Sequence, residues 1–86
     1  MYRIELRRKV QRSLDKLPKR DFEAVIETVK NLANSPRPKG VEKIKSAGLW
    51  RVRQGDYRVV YSMVINGIMI RRIIWRLKLL NLVMLL

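Results

Sequence analysis

Two dipeptides, Gly55-Asp56 and Asn66-Gly67, constrain the fold of this 86-residue chain more than any other feature. Glycine readily takes the positive φ that a two-residue hairpin loop demands at its first position, so Gly55-Asp56 suits a type II′ turn. The flanks, Leu49 to Gln54 and Tyr57 to Val64, are rich in β-branched and aromatic residues, which predicts two strands joined tightly there. Asn66-Gly67, between Ile65 and Ile68, predicts a second two-residue turn and a third strand from about Ile68 to Ile74. With Gly55 first in its loop, Gln54 faces Tyr57, Arg53 faces Arg58 and Val52 faces Val59. Strand alternation then places Arg51, Arg53 and Arg58 on one face and Trp50, Val52, Val59, Tyr61 and Met63 on the other. A slip of one residue would bury the arginines and expose Val59, so burial supports this register.

The apolar face needs a cover, and the N-terminal half supplies one. Tyr2, Ile4 and Leu6 alternate with charged residues, as in a short half-buried strand or the lead into a helix. Leu6, Val10, Leu14 and Leu17 recur at helical spacing and predict an amphipathic helix ending near Pro18. Phe22, Val25, Ile26, Val29, Leu32 and Ala33 predict a second helix that stops before Asn34-Ser35-Pro36. The expected architecture is α+β: a helical hairpin, broken at Leu17-Pro18-Lys19, packed on an antiparallel sheet of three to four strands. Residues 1–86 read as a single domain, with 71–86 an apolar and basic tail. Ser35 to Gly40, with two prolines and a glycine, reads as a basic loop.

Charge narrows the function. Twenty Lys and Arg against seven Asp and Glu leave +13, as expected of a chain that meets phosphate, an anionic membrane or an acidic protein segment. The chain has no Cys and no His, which excludes disulfides, thiolate nucleophiles, zinc fingers, Cys-His and Ser-His-Asp triads and imidazole acid–base catalysis. No metal or cofactor is expected. Met1 to Arg8 is too polar for a signal peptide, and Arg71, Arg72, Arg76 and Lys78 interrupt the apolar run from Val59, so no membrane span and a cytoplasmic location are expected. Arg53 opposite Arg58 is a destabilising like-charge pair unless an anion sits between them. Guanidinium groups grip phosphate or carboxylate oxygens in pairs, so the arginine face is a candidate anion site. The plain alternative is the solvated face of a small sheet.

The run GLWRVRQGDYRVVYS, behind two amphipathic helices and a Pro-rich basic loop, resembles the RelE/ParE toxin superfamily over roughly Tyr2 to Ile70. The resemblance implies two helices on a twisted antiparallel sheet. It implies a toxin of a type II toxin–antitoxin pair, neutralised by an acidic or amphipathic antitoxin encoded beside it, and an oligomer formed with that antitoxin. In the RelE branch it implies a metal-independent, ribosome-dependent mRNA endoribonuclease, in which a 2′-hydroxyl attacks the neighbouring phosphate and cationic side chains stabilise the phosphorane. Arg51, Arg53 and Arg58 occupy the family's basic positions and are the candidate catalytic residues, acting through charge, since arginine is no base at physiological pH. Arg37, Lys39, Lys43 and Lys45 are the candidate RNA-binding residues. The general base would be a lysine or a tyrosine.

After Ile70 the chain departs from the family pattern, which expects a glycine, basic residues and a late tyrosine; here no Tyr, His, Gly or acid follows. That departure keeps two other outcomes open: a ParE-like poison of DNA gyrase without nuclease activity, and a toxin homologue inactivated by its altered C-terminus. The tail from Leu77, through Leu80 and Leu82 to Leu86, reads as an extra core element or as a docking segment; it also admits a membrane-surface role, which its poor amphipathic pattern disfavours.

Overall fold

The computed structural model describes residues 1–44 and 48–75. Seven elements follow one another: β1 (Arg3–Leu6), α1 (Arg8–Asp15), α2 (Lys19–Asn34), β2 (Glu42–Ile44), β3 (Leu49–Gln54), β4 (Tyr57–Val64) and β5 (Gly67–Trp75). The break between the helices falls at Pro18, whose fixed φ and missing N–H suit the position just ahead of α2; Phe22 N–H donates to Pro18 O at 2.8 Å. Val10 and Leu14 of α1 and Val25, Val29 and Leu32 of α2 meet Val52, Val59, Tyr61, Ile68 and Ile70 in one buried cluster. The helices thus cover one face of the sheet, as the apolar stripes require. No helix among the described residues is long and apolar enough to cross a membrane.

The β3–β4 pairing runs in the expected register: Gln54 opposite Tyr57, Arg53 opposite Arg58, Val52 opposite Val59. Gly55 takes φ 58° at the first loop position, as a type II′ turn needs.

Three expectations are corrected. The sheet has five strands in the order β1-β5-β4-β3-β2 rather than three or four. It is mixed rather than antiparallel, because β1 pairs parallel with β5, Arg3 opposite Gly67 through Leu6 opposite Ile70. The chain leaves β1 through both helices and reaches β5 only after the β3–β4 hairpin, so its direction at the sheet edge is set by that long crossover. The second turn is shifted by one residue: Val64 pairs with Gly67, so the loop is Ile65-Asn66, with Asn66 at φ 57°. Asn tolerates the left-handed conformation, and Gly67 is required for a different reason. A Cβ on Gly67 would stand 2.9 Å from the Arg3 carbonyl oxygen, so only glycine lets β1 lie this close.

β2 lies just beyond the Ser35–Gly40 loop, in a stretch to which the sequence analysis assigns no element; three residues paired to β3 suffice to make it an edge strand. The tail positions Arg76, Leu77, Lys78, Leu80 and Leu82 to Leu86 lie outside the described residues.

Candidate functional site

The face of the sheet turned away from the helices carries the arginines. Alternation along β4 sends Tyr57, Val59, Tyr61 and Met63 toward the helices and Arg58, Val60, Ser62 and Val64 the other way. Arg51 opposes Val60 and Arg53 opposes Arg58, so the three candidate catalytic residues share that outer face. Arg53 is exposed. Arg58 is half-buried and folds back on its own turn, its Nη1 donating to Gly55 O at 3.3 Å and Tyr57 O at 3.0 Å.

Arg51 is held from the neighbouring strand. Glu42 of β2 pairs with it in register, and Arg51 Nη2 lies 2.7 Å from Glu42 Oε2. The Arg51 hydrogen bond and charge hold the Glu42 carboxyl below its ordinary 4.5, and Arg58 adds a smaller pull, so both cations act at one place. Arg51 Nε is buried with no hydrogen-bond partner among the described residues. Glu42, an acid inside a basic segment, was not singled out from the sequence; that isolation was the available signal.

The candidate RNA-binding residues gather elsewhere. Trp50, on the strand next to the edge strand β2, points to the helix side, with Arg37 Cζ 4.7 Å and Lys43 Nζ 5.6 Å from its ring centroid. Both distances suit cation–π attraction. Tyr61 donates its buried hydroxyl to the Pro36 carbonyl, pinning the loop that carries Arg37. Lys39 is exposed in the same loop. Lys43 opposes Trp50, hence faces away from Arg51, Arg53 and Arg58. Arg37 and Lys43 are thus brought together, but on the other side of the sheet from the arginine trio. Lys45 lies outside the described residues.

The two tyrosines of β4 are also turned from the arginine face. Tyr57 donates to Asp21 Oδ2 at 3.2 Å, and desolvation, with help from Asp21, raises its hydroxyl above the ordinary 10.0. Burial likewise raises Tyr61, with Arg37 opposing the shift weakly. Both hydroxyls stay protonated at physiological pH, and neither reaches the arginine face.

Two further arginines join that face, and the sequence reading missed them. Arg72 of β5 opposes Val60, and Arg71 Nε donates to Ser62 Oγ at 2.8 Å. The missed signal was the Arg71-Arg72 pair itself, since a regular strand cannot turn two adjacent side chains to one face.

A groove of about 570 Å³ runs between α1 and the end of β5, with Val10, Leu17, Ile73 and Trp75 in its lining and Lys9 and Lys16 among its basic residues.

Against protein families, residues 4–78 match the one described as ParE toxin of type II toxin–antitoxin system, parDE. Among solved structures, the chain is similar to one in the archaeal RelE–RelB complex from Pyrococcus horikoshii OT3, at 32% identity and TM-score 0.77, over 87% of this chain and 94% of that one. It is similar to one in the toxin–antitoxin complex RelBE2 from Mycobacterium tuberculosis, at 26% identity and TM-score 0.76, over 87% and 98%. The isolated E. coli RelE toxin shares the fold at 13% identity and TM-score 0.76, over 100% of both chains. No curated protein sequence matches the chain.

Proposed function

The chain belongs to the RelE/ParE toxin superfamily and is a toxin of a type II toxin–antitoxin system, and from that premise we propose that it is a RelE-like, ribosome-dependent endoribonuclease that cuts mRNA and stops translation. The observation that carries the reading is the meeting of Arg51, Arg53 and Arg58 on one face, with Arg53 directly opposite Arg58. Two like charges in register lower the stability of the sheet and are relieved by an anion between them. In the proposed reaction the 2′-oxygen bonds to the adjacent phosphorus and the bond to the 5′-oxygen breaks, leaving a cyclic phosphate and a 5′-hydroxyl. The 2′-hydroxyl proton passes through solvent to the leaving oxygen. Arg53 and Arg58 stabilise the extra negative charge of the phosphorane, and Arg51, aligned by Glu42, orients the phosphate. Arg37, Lys39, Lys43 and Lys45 hold RNA or ribosome.

The partner is an acidic or amphipathic antitoxin encoded beside the toxin. Charge and the α1–β5 groove support this, since its apolar lining and Lys9 and Lys16 suit an amphipathic segment carrying acids. The site of action is the cytoplasm.

A second reading has its own support. The matched family is described by ParE, and the candidate residues on the arginine face are all arginines, which carry charge but exchange no proton. That composition suits a toxin that inhibits DNA gyrase by binding alone. Primer extension on translated mRNA after induction, run beside a gyrase supercoiling assay, separates the two. Cleavage without loss of supercoiling upholds the nuclease reading; loss of supercoiling without cleavage replaces it with the gyrase reading; neither effect identifies an inactive homologue.

A further inference from the structure

β5 reads Gly-Ile-Met-Ile-Arg-Arg-Ile-Ile-Trp, and its first half alternates regularly, with Ile68 and Ile70 fully buried under the helices. Regular continuation would turn Arg71 outward, Arg72 into the core and Ile73 out to solvent. An unpaired guanidinium in that core would lose several kcal/mol of hydration, far more than one disturbed ladder position. The strand instead bulges: Tyr61 pairs with Ile70 and Val60 with Arg72, leaving Arg71 as the extra residue. Ile73 returns to pack against the core opposite Val59. The side-chain order resets, and both arginines are placed on the outer face.

The register then gives a map of that face. One row reads Arg51, Val60, Arg72 across β3, β4 and β5; the next reads Arg53, Arg58, Ile74. Arg72 stands two strands, about 10 Å, from Arg51, and about 7 Å along the sheet from the row of the Arg53–Arg58 pair. Both carboxylates that the register places on the face are engaged elsewhere, Glu42 with Arg51 at 2.7 Å and Glu5 with Arg3 at 2.6 Å. Arg71 is committed to Ser62, while Arg72 is exposed.

We propose that Arg72, placed by the Arg71 bulge, forms a second phosphate site on this face, so that the protein grips two neighbouring phosphates of a single-stranded RNA. The proposal rests on the reading of the face as an RNA site. Arg53 and Arg58 take the first phosphate, Arg72 the next, and Val60 forms an apolar floor between Arg51 and Arg72. The bulge is what adapts a two-strand anion site to a polymer: it adds the third strand.

The test is binding of a short fluorescein-labelled single-stranded RNA to the full chain across a salt series, with circular dichroism to confirm folding. Each phosphate contact on a single strand contributes about 0.7 to the slope of log affinity against log salt. Arg72→Gln should lower the slope by about 0.7, Arg72→Lys should retain it, and Arg12→Gln on the exposed side of α1 should leave it unchanged. An unaltered slope for Arg72→Gln, with a reduced one for Arg53→Gln, overturns the second site and leaves the first standing. Lower affinity at constant slope would mean that Arg72 shares the first phosphate, which also overturns the proposal. If the wild-type chain binds no RNA, or no face arginine changes the slope, the RNA reading itself falls and this proposal falls with it.

Discussion

Arg58→Ala should separate activity from stability, and the structure supplies the magnitudes. Two effects on folding oppose each other. The substitution removes the hydrogen bonds from Nη1 to Gly55 O and Tyr57 O, at 3.3 and 3.0 Å, on a half-buried side chain beside an exposed turn. Their loss costs about 0.5–1.5 kcal/mol, at the low end because water can reach the turn carbonyls. The substitution also removes the like charge opposite Arg53, returning about 0.2–1 kcal/mol. The net change is about 1 kcal/mol or less, so Tm should move by no more than about 8 °C. Loss of one group that stabilises the phosphorane is worth about 3 kcal/mol, roughly 150-fold in rate. Scanning calorimetry on the purified variant gives the first quantity, and primer extension on translated mRNA, with growth inhibition beside it, gives the second. The reasoning is refuted if cleavage persists near the wild-type rate in a folded variant. It is equally refuted if Tm collapses and the lost activity merely follows the lost fold.

Four further outcomes are expected. Tyr61→Phe leaves the Pro36 carbonyl without its donor and should cost about 1–2 kcal/mol in urea unfolding, with a change in Trp50 emission as the Arg37 loop loosens. Gly67→Ala drives a Cβ to 2.9 Å from the Arg3 carbonyl, so β1 must shift, and denaturation should show a loss of about 1–3 kcal/mol. The Glu42 carboxyl should titrate below 4.5 by carbon-detected NMR and return toward that value in Arg51→Gln; because its folded pKa is depressed, the pair's support is present above pH 4.5 and fades as pH falls further. Tyr57 and Tyr61 are shifted the other way, so their contribution is complete below pH 10.0 and is lost as pH climbs past it; Tyr57→Phe should blunt that alkaline fall in Tm.

Much of the site was legible because it rests on short-range geometry. A glycine first in a two-residue loop sets φ, the loop length sets the pairing, and pairing sets which side chains share a face. Arg51, Arg53 and Arg58 therefore came together from the residues of one hairpin, and the helices from their apolar spacing. Family resemblance carried the toxin assignment, which composition alone would have left among several anion-binding roles.

Other features depended on residues far apart in the chain. The parallel pairing of β1 with β5 joins Arg3 to Gly67, and no local pattern in Arg3–Leu6 names that partner. The turn at Ile65-Asn66 followed from it, because β1 needs the bare Cα of Gly67 inside the strand rather than in the loop. Lys43 fell on the opposite side from the arginines once Glu42–Ile44 paired with β3 as an edge strand. The bulge at Arg71 was decided last, by the helices packed above the sheet: Ile73 had to enter the core and Arg72 had to stay out of it. Sequence determined the Gly55-Asp56 turn, the apolar faces and the trio of arginines, since each depends on neighbours within one hairpin or helix. Tertiary structure alone decided the sheet edges and the fourth and fifth arginines, since a side chain's face there depends on what the whole core will bury.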